Sequence, residues 1–92
     1  MIRLNVFIQV SAENRAAVLE AAKELVACSL KDKGCIAYDI FESTTRSDVL
    51  MICETWQDAE SLTAHEGAAH FVTLVPKIQG LASMKLEKFY FT

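Results

Sequence analysis

The chain has only two histidines, His65 and His70, which stand five residues apart in the stretch AHEGAAHF, on either side of Gly67. A histidine side chain has an ordinary pKa near about 6.5, which suits it to accept a proton from a phenol at neutral pH. A general base needs only one imidazole. We therefore take His65 first and His70 second as candidate catalytic residues. The alternative for either ring is a place on the surface or at a helix cap.

A metal ion shared by the two rings is not expected. In a continuous helix five residues turn through ~500°, which leaves the rings roughly 140° apart. Gly67 can break the helix, but the sequence offers no third ligand and no HxxxH or HxH motif. The three cysteines are distant in sequence, form no CxxC pair and lie in apolar runs, so we expect reduced thiols: Cys28, Cys35 and Cys53.

Several other side chains could shape a pocket for an aromatic molecule. Asn5 lies beside Phe7 on the polar side of the first apolar segment, and its amide is either solvated or bonded to a substrate oxygen. The Glu54 carboxylate is either paired with a lysine or arginine or acts as a proton acceptor of raised pKa. Trp56 is either a core residue or an aromatic wall with an indole N–H donor. The candidate substrate-binding residues are Phe7, Tyr38, Glu54, Trp56 and Phe71.

Length and composition limit the kind of protein that could carry these residues. The chain has 92 residues, enough for one domain over residues 1–92, and 52% of them are hydrophobic. This is more apolar material than a small monomer easily encloses, so a buried subunit interface is indicated. The net charge of −3 with scattered lysines and arginines excludes a basic stripe for nucleic acid.

No segment has the pattern of a membrane or export signal. There is no polybasic patch for a membrane surface, and no run approaches the ~20 apolar residues that span a bilayer. The N-terminal MIRLNVFIQV lacks the longer apolar run and the cleavage site of a signal peptide. We expect a cytoplasmic protein.

Hydrophobic periodicity predicts four strands and three helical segments. Ser11 is predicted to cap the long helix, and Asp58 to cap the short helix that follows the third strand. Gly34 is predicted to end the long helix in a left-handed conformation, and Pro76 to end or kink the last helical segment. Tyr38 and Phe41 should point to opposite faces of their strand. The predicted strands cover residues 2–10, 35–43, 48–56 and 83–92, and the predicted helices cover 12–32, 58–67 and 68–81.

The order of these elements predicts an α+β fold of the ferredoxin-like βαββαβ type, with a four-stranded antiparallel sheet. Right-handed crossovers place the helices on one face of the sheet and leave the other face uncovered. The first strand has one strongly apolar side, with Ile2, Leu4, Val6 and Ile8. An uncovered apolar sheet would be insoluble, so we expect two sheets packed face to face in a homodimer.

The stretches KGCIAYDIFES and VLMICETWQDAESLTAHEGAAHF resemble the antibiotic biosynthesis monooxygenase (ABM) family, which includes quinol monooxygenases. The resemblance rests on the Gly-Cys after the first helix, the YDIF strand, the pair Glu54 and Trp56, and the spaced His65, His70 and Phe71. It covers essentially the whole chain. It implies a dimeric α+β barrel, with a pocket between the sheet and helices of each subunit.

The resemblance also implies a reaction, in which quinols or aromatic phenols are oxidised by molecular oxygen without flavin, haem or metal. An asparagine on the first strand often faces the pocket in this family, which implies a catalytic role for Asn5, and relatives place a pocket residue at His65. Haem-degrading relatives carry a tryptophan where His65 stands and the iron-ligating histidine about where Val75 stands. Because the sequence departs at both positions, haem cleavage is not expected.

Three functions remain open from the sequence. The leading one is a cofactor-independent monooxygenase acting on a small aromatic substrate. The second is an isomerase or hydration catalyst that shuttles protons on a small metabolite. A phosphorylated metabolite would need a cationic clamp, for which Arg3, Lys85 and Lys88 are the strand candidates. The third is a dimeric ligand-binding protein without catalysis.

Overall fold

The computed structural model describes residues 1–92 and confirms the ferredoxin-like fold. Four strands form one antiparallel sheet in the order β2-β3-β1-β4, and two consecutive helices make up the second crossover. No helix is long and apolar enough to cross a membrane. The elements are β1 Ile2–Val10, α1 Arg15–Ser29, β2 Cys35–Glu42, β3 Val49–Trp56, α2 Ala59–Glu66, α3 Ala69–Gln79 and β4 Ala82–Tyr90.

The central strand β1 separates the two faces of the sheet. Its even-numbered side chains, from Ile2 to Val10, are at most 6% exposed and pack under the helices. Its odd-numbered side chains, from Arg3 to Gln9, point to the opposite face. Because side chains alternate along a strand, each β1 residue belongs either to the helix-covered core or to the open face.

The apolar side chains on the open face of the sheet are not the ones that the sequence predicted. The aliphatic side of β1 is covered by the helices of the same chain, so it does not need a partner. The uncovered apolar side chains are instead phenylalanines: Phe7, Phe41 and Phe89 are 41%, 50% and 50% exposed. Phe7 and Phe41 both lie opposite Met51 in the sheet register, on either side of it.

Helix α1 is shorter than predicted at both ends. Residues 12–14 form a turn, and the helix begins after Asn14 rather than after Ser11. The Asn14 side chain does not cap the helix; its amide donates to the Leu81 carbonyl at 3.2 Å and ties the start of α1 to the start of β4. At the other end the helix stops at Ser29, so the KDKG segment lies in the following turn.

Gly34 has the predicted left-handed conformation, with φ of 81°, but it introduces β2 rather than ending α1. Its carbonyl accepts a hydrogen bond from the Gln57 N–H at 2.8 Å. A Cβ atom on this residue would overlap the Ser61 side chain of α2. Glycine is therefore required here both for its backbone angle and for the close approach of α2.

Other local predictions have mixed outcomes. Asp58 caps α2 as expected, and its carboxylate accepts from the Ser61 N–H at 2.8 Å. Pro76 does not end α3, which continues to Gln79. The proline leaves the Val72 carbonyl without its helical partner, but Val72 is 56% exposed, so water can reach that carbonyl. All three cysteines are free, and they are half-buried rather than in the core.

Replacing Gly34 with alanine should destabilise the fold by about 2 kcal/mol or more, because the new methyl group is strained at positive φ and overlaps Ser61. Urea unfolding measures the change. Gly80→Ala is the matched control, because its φ is −73° and the new Cβ would meet nothing closer than the Pro76 oxygen at 3.5 Å. Equal stabilities for the two variants would contradict this role for Gly34.

Candidate functional site

A cavity of about 200 Å³ lies between the helix-covered face of the sheet and the helices. Fourteen residues line it, and ten of them are hydrophobic, contributed by β1, β3, β4, α1 and α3 among other elements. A mostly apolar cavity with a few polar groups is typical of small-molecule sites. The polar lining residues are Glu54, His65, Glu66 and Gln79.

His65 is the central polar residue of this cavity. It lies in the last turn of α2 and is only 2% exposed. Its ring packs against Trp56, at 4.4 Å between centroids, and forms a T-shaped contact with Phe71, at 5.2 Å between centroids. Nδ1 is 2.8 Å from Oδ2 of Asp32, whereas Nε2 is buried and has no hydrogen-bond partner.

His70 reaches the same aspartate from a different helix. Its Nε2 is 2.7 Å from Asp32 Oδ2, and the two imidazole centroids are 5.7 Å apart. Gly67 caps α2, and α3 starts at Ala69, so the two histidines do not share one continuous helix. The helical angle between them therefore does not separate the rings, and Asp32 is the third group that the sequence pattern did not reveal.

The charges in this cluster follow from burial and hydrogen bonding. Burial raises the pKa of Asp32, but the hydrogen bonds from His65 and His70 and the electrostatic attraction of the same two residues together outweigh burial and leave this pKa below its ordinary value. Burial lowers the pKa of His65, although Asp32 acts in the opposite direction. At neutral pH Asp32 is thus an ionised acceptor and His65 a neutral ring, with its proton on Nδ1 and a bare Nε2.

The same three residues present a donor set that transition metals accept. One oxygen and two nitrogens, from Asp32, His65 and His70, lie within 4.8 Å of one another. Metal binding at Nδ1 of His65 would move the ring proton to Nε2, where no acceptor lies. Metal-bound imidazoles usually donate that proton to a partner. The direct hydrogen bonds fit the surroundings better, and the absence of a metal stays a prediction.

Glu54 is the second titratable group in the cavity wall. It is 5% exposed, and Oε1 accepts from the Trp56 indole N–H at 2.8 Å. No lysine or arginine forms an ion pair with it, so the first sequence alternative, a salt bridge, is wrong. Burial raises the pKa of Glu54 to about 7. Burial also raises the pKa of the neighbouring Tyr38, which therefore keeps its hydroxyl proton.

The structure brings together four of the predicted site residues as cavity lining: Tyr38, Glu54, His65 and Phe71. Trp56 and His70 lie behind them, Trp56 against His65 and Glu54, and His70 against Asp32.

Asn5 and Phe7 are a correction, because they face the other side of the sheet. On β1 the core takes the even-numbered side chains, and neither Asn5 nor Phe7 lines the cavity. The side-chain amide oxygen of Asn5, Oδ1, instead accepts from Arg3 Nε at 3.3 Å.

Asp32 is the residue of this candidate site that the sequence did not reveal. It lies in the turn between α1 and β2, 33 residues before His65. In the sequence it belongs to the lysine-rich end predicted for a helix, and no local pattern distinguishes it from a solvated aspartate. The contact between Asp32 and His65 forms only when the residues before β2 pack against those before α2. The hydrogen bond from the Gln57 N–H to the Gly34 carbonyl joins these two segments.

Comparison with known proteins gives a consistent result. The family model described as "Antibiotic biosynthesis monooxygenase" matches residues 1–77. The Bacillus subtilis (strain 168) protein named "Putative monooxygenase YcnE" is 33% identical over 87 residues, which are 95% of this chain and 92% of that protein.

Two solved structures illustrate the range of similarity. A Bacteroides thetaiotaomicron VPI-5482 protein of unknown function, described as a "possible oxidoreductase", is 68% identical, with a TM-score of 0.96 over 98% of this chain and 96% of that one. A mutant of SnoaB, a cofactor-independent oxygenase from Streptomyces nogalater, is 10% identical, with a TM-score of 0.88 over 98% and 91% of the two chains. The second similarity concerns the fold alone.

The raised pKa of Glu54 predicts a pH-dependent stability. Its pKa is about 7 in the folded chain against an ordinary value of 4.5. Below pH 4.5 both states are protonated; as the pH rises to 7 only the unfolded state ionises, so the folded state loses about 3 kcal/mol. The pKa values of Asp32 and His65 are lowered in the folded chain. Their unfolded forms therefore bind more protons, so these two groups increase the stability of the folded state as the pH rises, whereas Glu54 decreases it.

Glu54→Gln isolates this contribution, because the amide oxygen can still accept from Trp56. Relative to wild type, the variant should gain about 3 kcal/mol of unfolding free energy between about pH 4 and about pH 8 in urea titrations. Parallel pH dependences of the two proteins would show that Glu54 ionises at an ordinary pKa in the folded state.

Proposed function

This chain belongs to the antibiotic biosynthesis monooxygenase family, and from its cavity we propose that it oxidises a quinol or similar aromatic phenol with molecular oxygen and without a cofactor. One observation carries the proposal: His65, a buried imidazole whose Nε2 has no hydrogen-bond partner, is among the residues that line an apolar cavity. Without a cofactor, the substrate must supply the electrons. The protein then has to bind a flat ring, remove a phenolic proton and stabilise the anion.

His65 is suited to remove that proton. Nε2 accepts it, and the resulting imidazolium is stabilised by the Nδ1–H bond to the Asp32 carboxylate at 2.8 Å. Trp56 and Phe71 both pack against the ring and restrain its orientation before the substrate arrives. A positioned base of this kind contributes about 10²–10⁴-fold to the rate.

The oxidation then proceeds between the substrate and oxygen. The phenolate transfers one electron to O₂, and the superoxide and ring radical combine to form a carbon–oxygen bond. The peroxide takes back the proton held by His65, and loss of water leaves a hydroxylated quinone. One oxygen atom enters the product and the other leaves in water, with all electrons supplied by the substrate. Molecular oxygen is apolar, so it can enter the apolar cavity where the substrate is bound.

Glu54 is positioned to bind a second polar group of the substrate. Its pKa of about 7 lets it act as donor or acceptor near neutrality, while the bond from Trp56 to Oε1 fixes the carboxyl group. A dihydroxyarene carries the second hydroxyl that such a group would recognise.

A proton-shuttling isomerase is the second candidate, because two titratable groups, Glu54 and His65, line the same cavity, and burial raises the pKa of Glu54 to about 7. Such a pair can remove a proton at one atom and deliver one at another. No lysine or arginine lines the cavity, so Arg3, Lys85 and Lys88 do not supply a phosphate clamp. The isomerase substrate would therefore be uncharged, like the proposed quinol.

We also propose that the active form is a homodimer. The open face of the sheet carries Phe7, Phe41 and Phe89, and the first two flank the half-buried Met51. A second copy of the same face would cover these side chains, and sheets pack face to face in this way when one face of each is apolar.

An oxygen electrode with reduced menadione and related quinols tests the reaction. Wild type should consume oxygen faster than autoxidation, and His65→Gln should lower kcat about 100-fold or more, because glutamine cannot take up the proton. Thr63→Ala, an exposed change on the same helix, is the control and should leave the rate unchanged. Oxygen uptake equal to autoxidation with every aromatic tried would refute the monooxygenase proposal and leave an isomerase or a binding protein.

Light scattering tests the assembly. Wild type should have twice the 10.2 kDa mass of one chain. Phe7→Lys should shift the protein toward monomer, because it places a charge in the proposed interface, whereas Val72→Lys on the exposed side of α3 should not. A monomeric wild type would rule out the face-to-face dimer.

A further inference from the structure

We infer that His65 and His70 share the single carboxylate of Asp32 in an antagonistic way, so that a proton taken up by His65 in the cavity is matched by a proton released from His70 at the surface. The inference rests on the proposed role of His65 as the base. It assigns two positioning residues to that reaction: Asp32, which holds the base, and His70, which sets its charge.

The geometry places both rings on one oxygen. Nδ1 of His65 and Nε2 of His70 lie 2.8 and 2.7 Å from Oδ2 of Asp32. Neither ring has another charged side chain within ion-pair distance, and Asp32 pairs with no lysine or arginine. The cluster therefore has one negative charge available for two imidazoles, and it stabilises one imidazolium better than two.

Exposure to solvent distinguishes the two rings. The His65 side chain is 1% exposed, whereas those of His70 and Asp32 are 18% and 20% exposed. A positive charge is better hydrated on His70 than on His65, so a cluster that holds a single imidazolium carries it on His70 and leaves His65 free to act as a base. When the substrate protonates His65, the second positive charge 5.7 Å away favours release of the His70 proton to water.

No other charged side chain forms an ion pair with Asp32, His65 or His70. Lys33, Asp58 and Glu60 line a shallow groove beside Asp32 and His65, and Glu54 and Glu66 line the cavity. None of them lies within ion-pair distance of the three residues. Glu66 favours a charged His65, as Asp32 does, and His70 is the group that opposes it.

His70→Gln separates a charge role from a structural one, because a glutamine amide can still donate to Asp32 but cannot be protonated. NMR of the imidazole ring signals should show the pKa of His65 rising by roughly 0.5 or more in the variant, the value expected for a charge removed at this distance even in high dielectric. The acid limb of kcat/KM should move upward by the same amount. An unchanged His65 pKa would overturn the inference.

Binding of 4-nitrophenol, a phenol that is not a quinol, tests the coupling in wild type. At a pH below about 6.5, binding should move the His65 ring signals toward imidazolium and those of His70 toward the neutral ring. Protonation of His65 with no change at His70 would refute the antagonism. Binding with His65 left neutral would instead refute the base role itself, so failure of the proposed function is distinguished from failure of the coupling.

Discussion

The hydrogen bonds of one carboxylate oxygen organise this site. Asp32 lies in the turn after α1, and it bonds to an imidazole at the end of α2 and to another at the start of α3. The turn after α1 and two later, successive helices thus meet at one atom. Because the carboxylate can only accept, both rings must donate to it, and this fixes the protonated nitrogen of each ring. The chemistry available at the cavity wall depends on that assignment.

The second constraint is the alternation of side chains along β1. The even-numbered residues complete the core and the cavity wall, and the odd-numbered ones form the open face of the sheet. A single strand therefore contributes to both the pocket and the proposed subunit interface. The buried Glu54 extends this arrangement, since β3 pairs it with Leu4 and places it under the helices beside His65.

Periodicity and capping signals were enough to predict the fold, because they record local requirements. The alternation of β1, the helical repeat of α1 and the Asp58 cap are all visible in short windows of sequence. The end of α1 and the role of Gly34 were not, because Gly34 is required by Ser61 of a helix packed against it. The limits of a helix depend on such neighbours as well as on its own residues.

The site was predictable only in part, for the same reason. Tyr38, Glu54, His65 and Phe71 could be identified as pocket residues from their chemistry and from the family resemblance. The family resemblance predicted that Asn5 faces the pocket. The alternation of side chains along β1 instead puts it on the open face of the sheet. Asp32 could not be identified, because an aspartate between two lysines is typical of a solvated turn and its histidine partners are more than thirty residues away.

The most direct test of the account is the protonation state of His65 in the resting protein. Nitrogen-15 NMR of the imidazole at neutral pH distinguishes a proton on Nδ1, a proton on Nε2 and the charged ring. The structure predicts a neutral ring with its proton on Nδ1, directed at Asp32, and a bare, buried Nε2. A proton on Nε2, or an imidazolium at neutral pH, would contradict the central claim that Asp32 prepares His65 as a buried base.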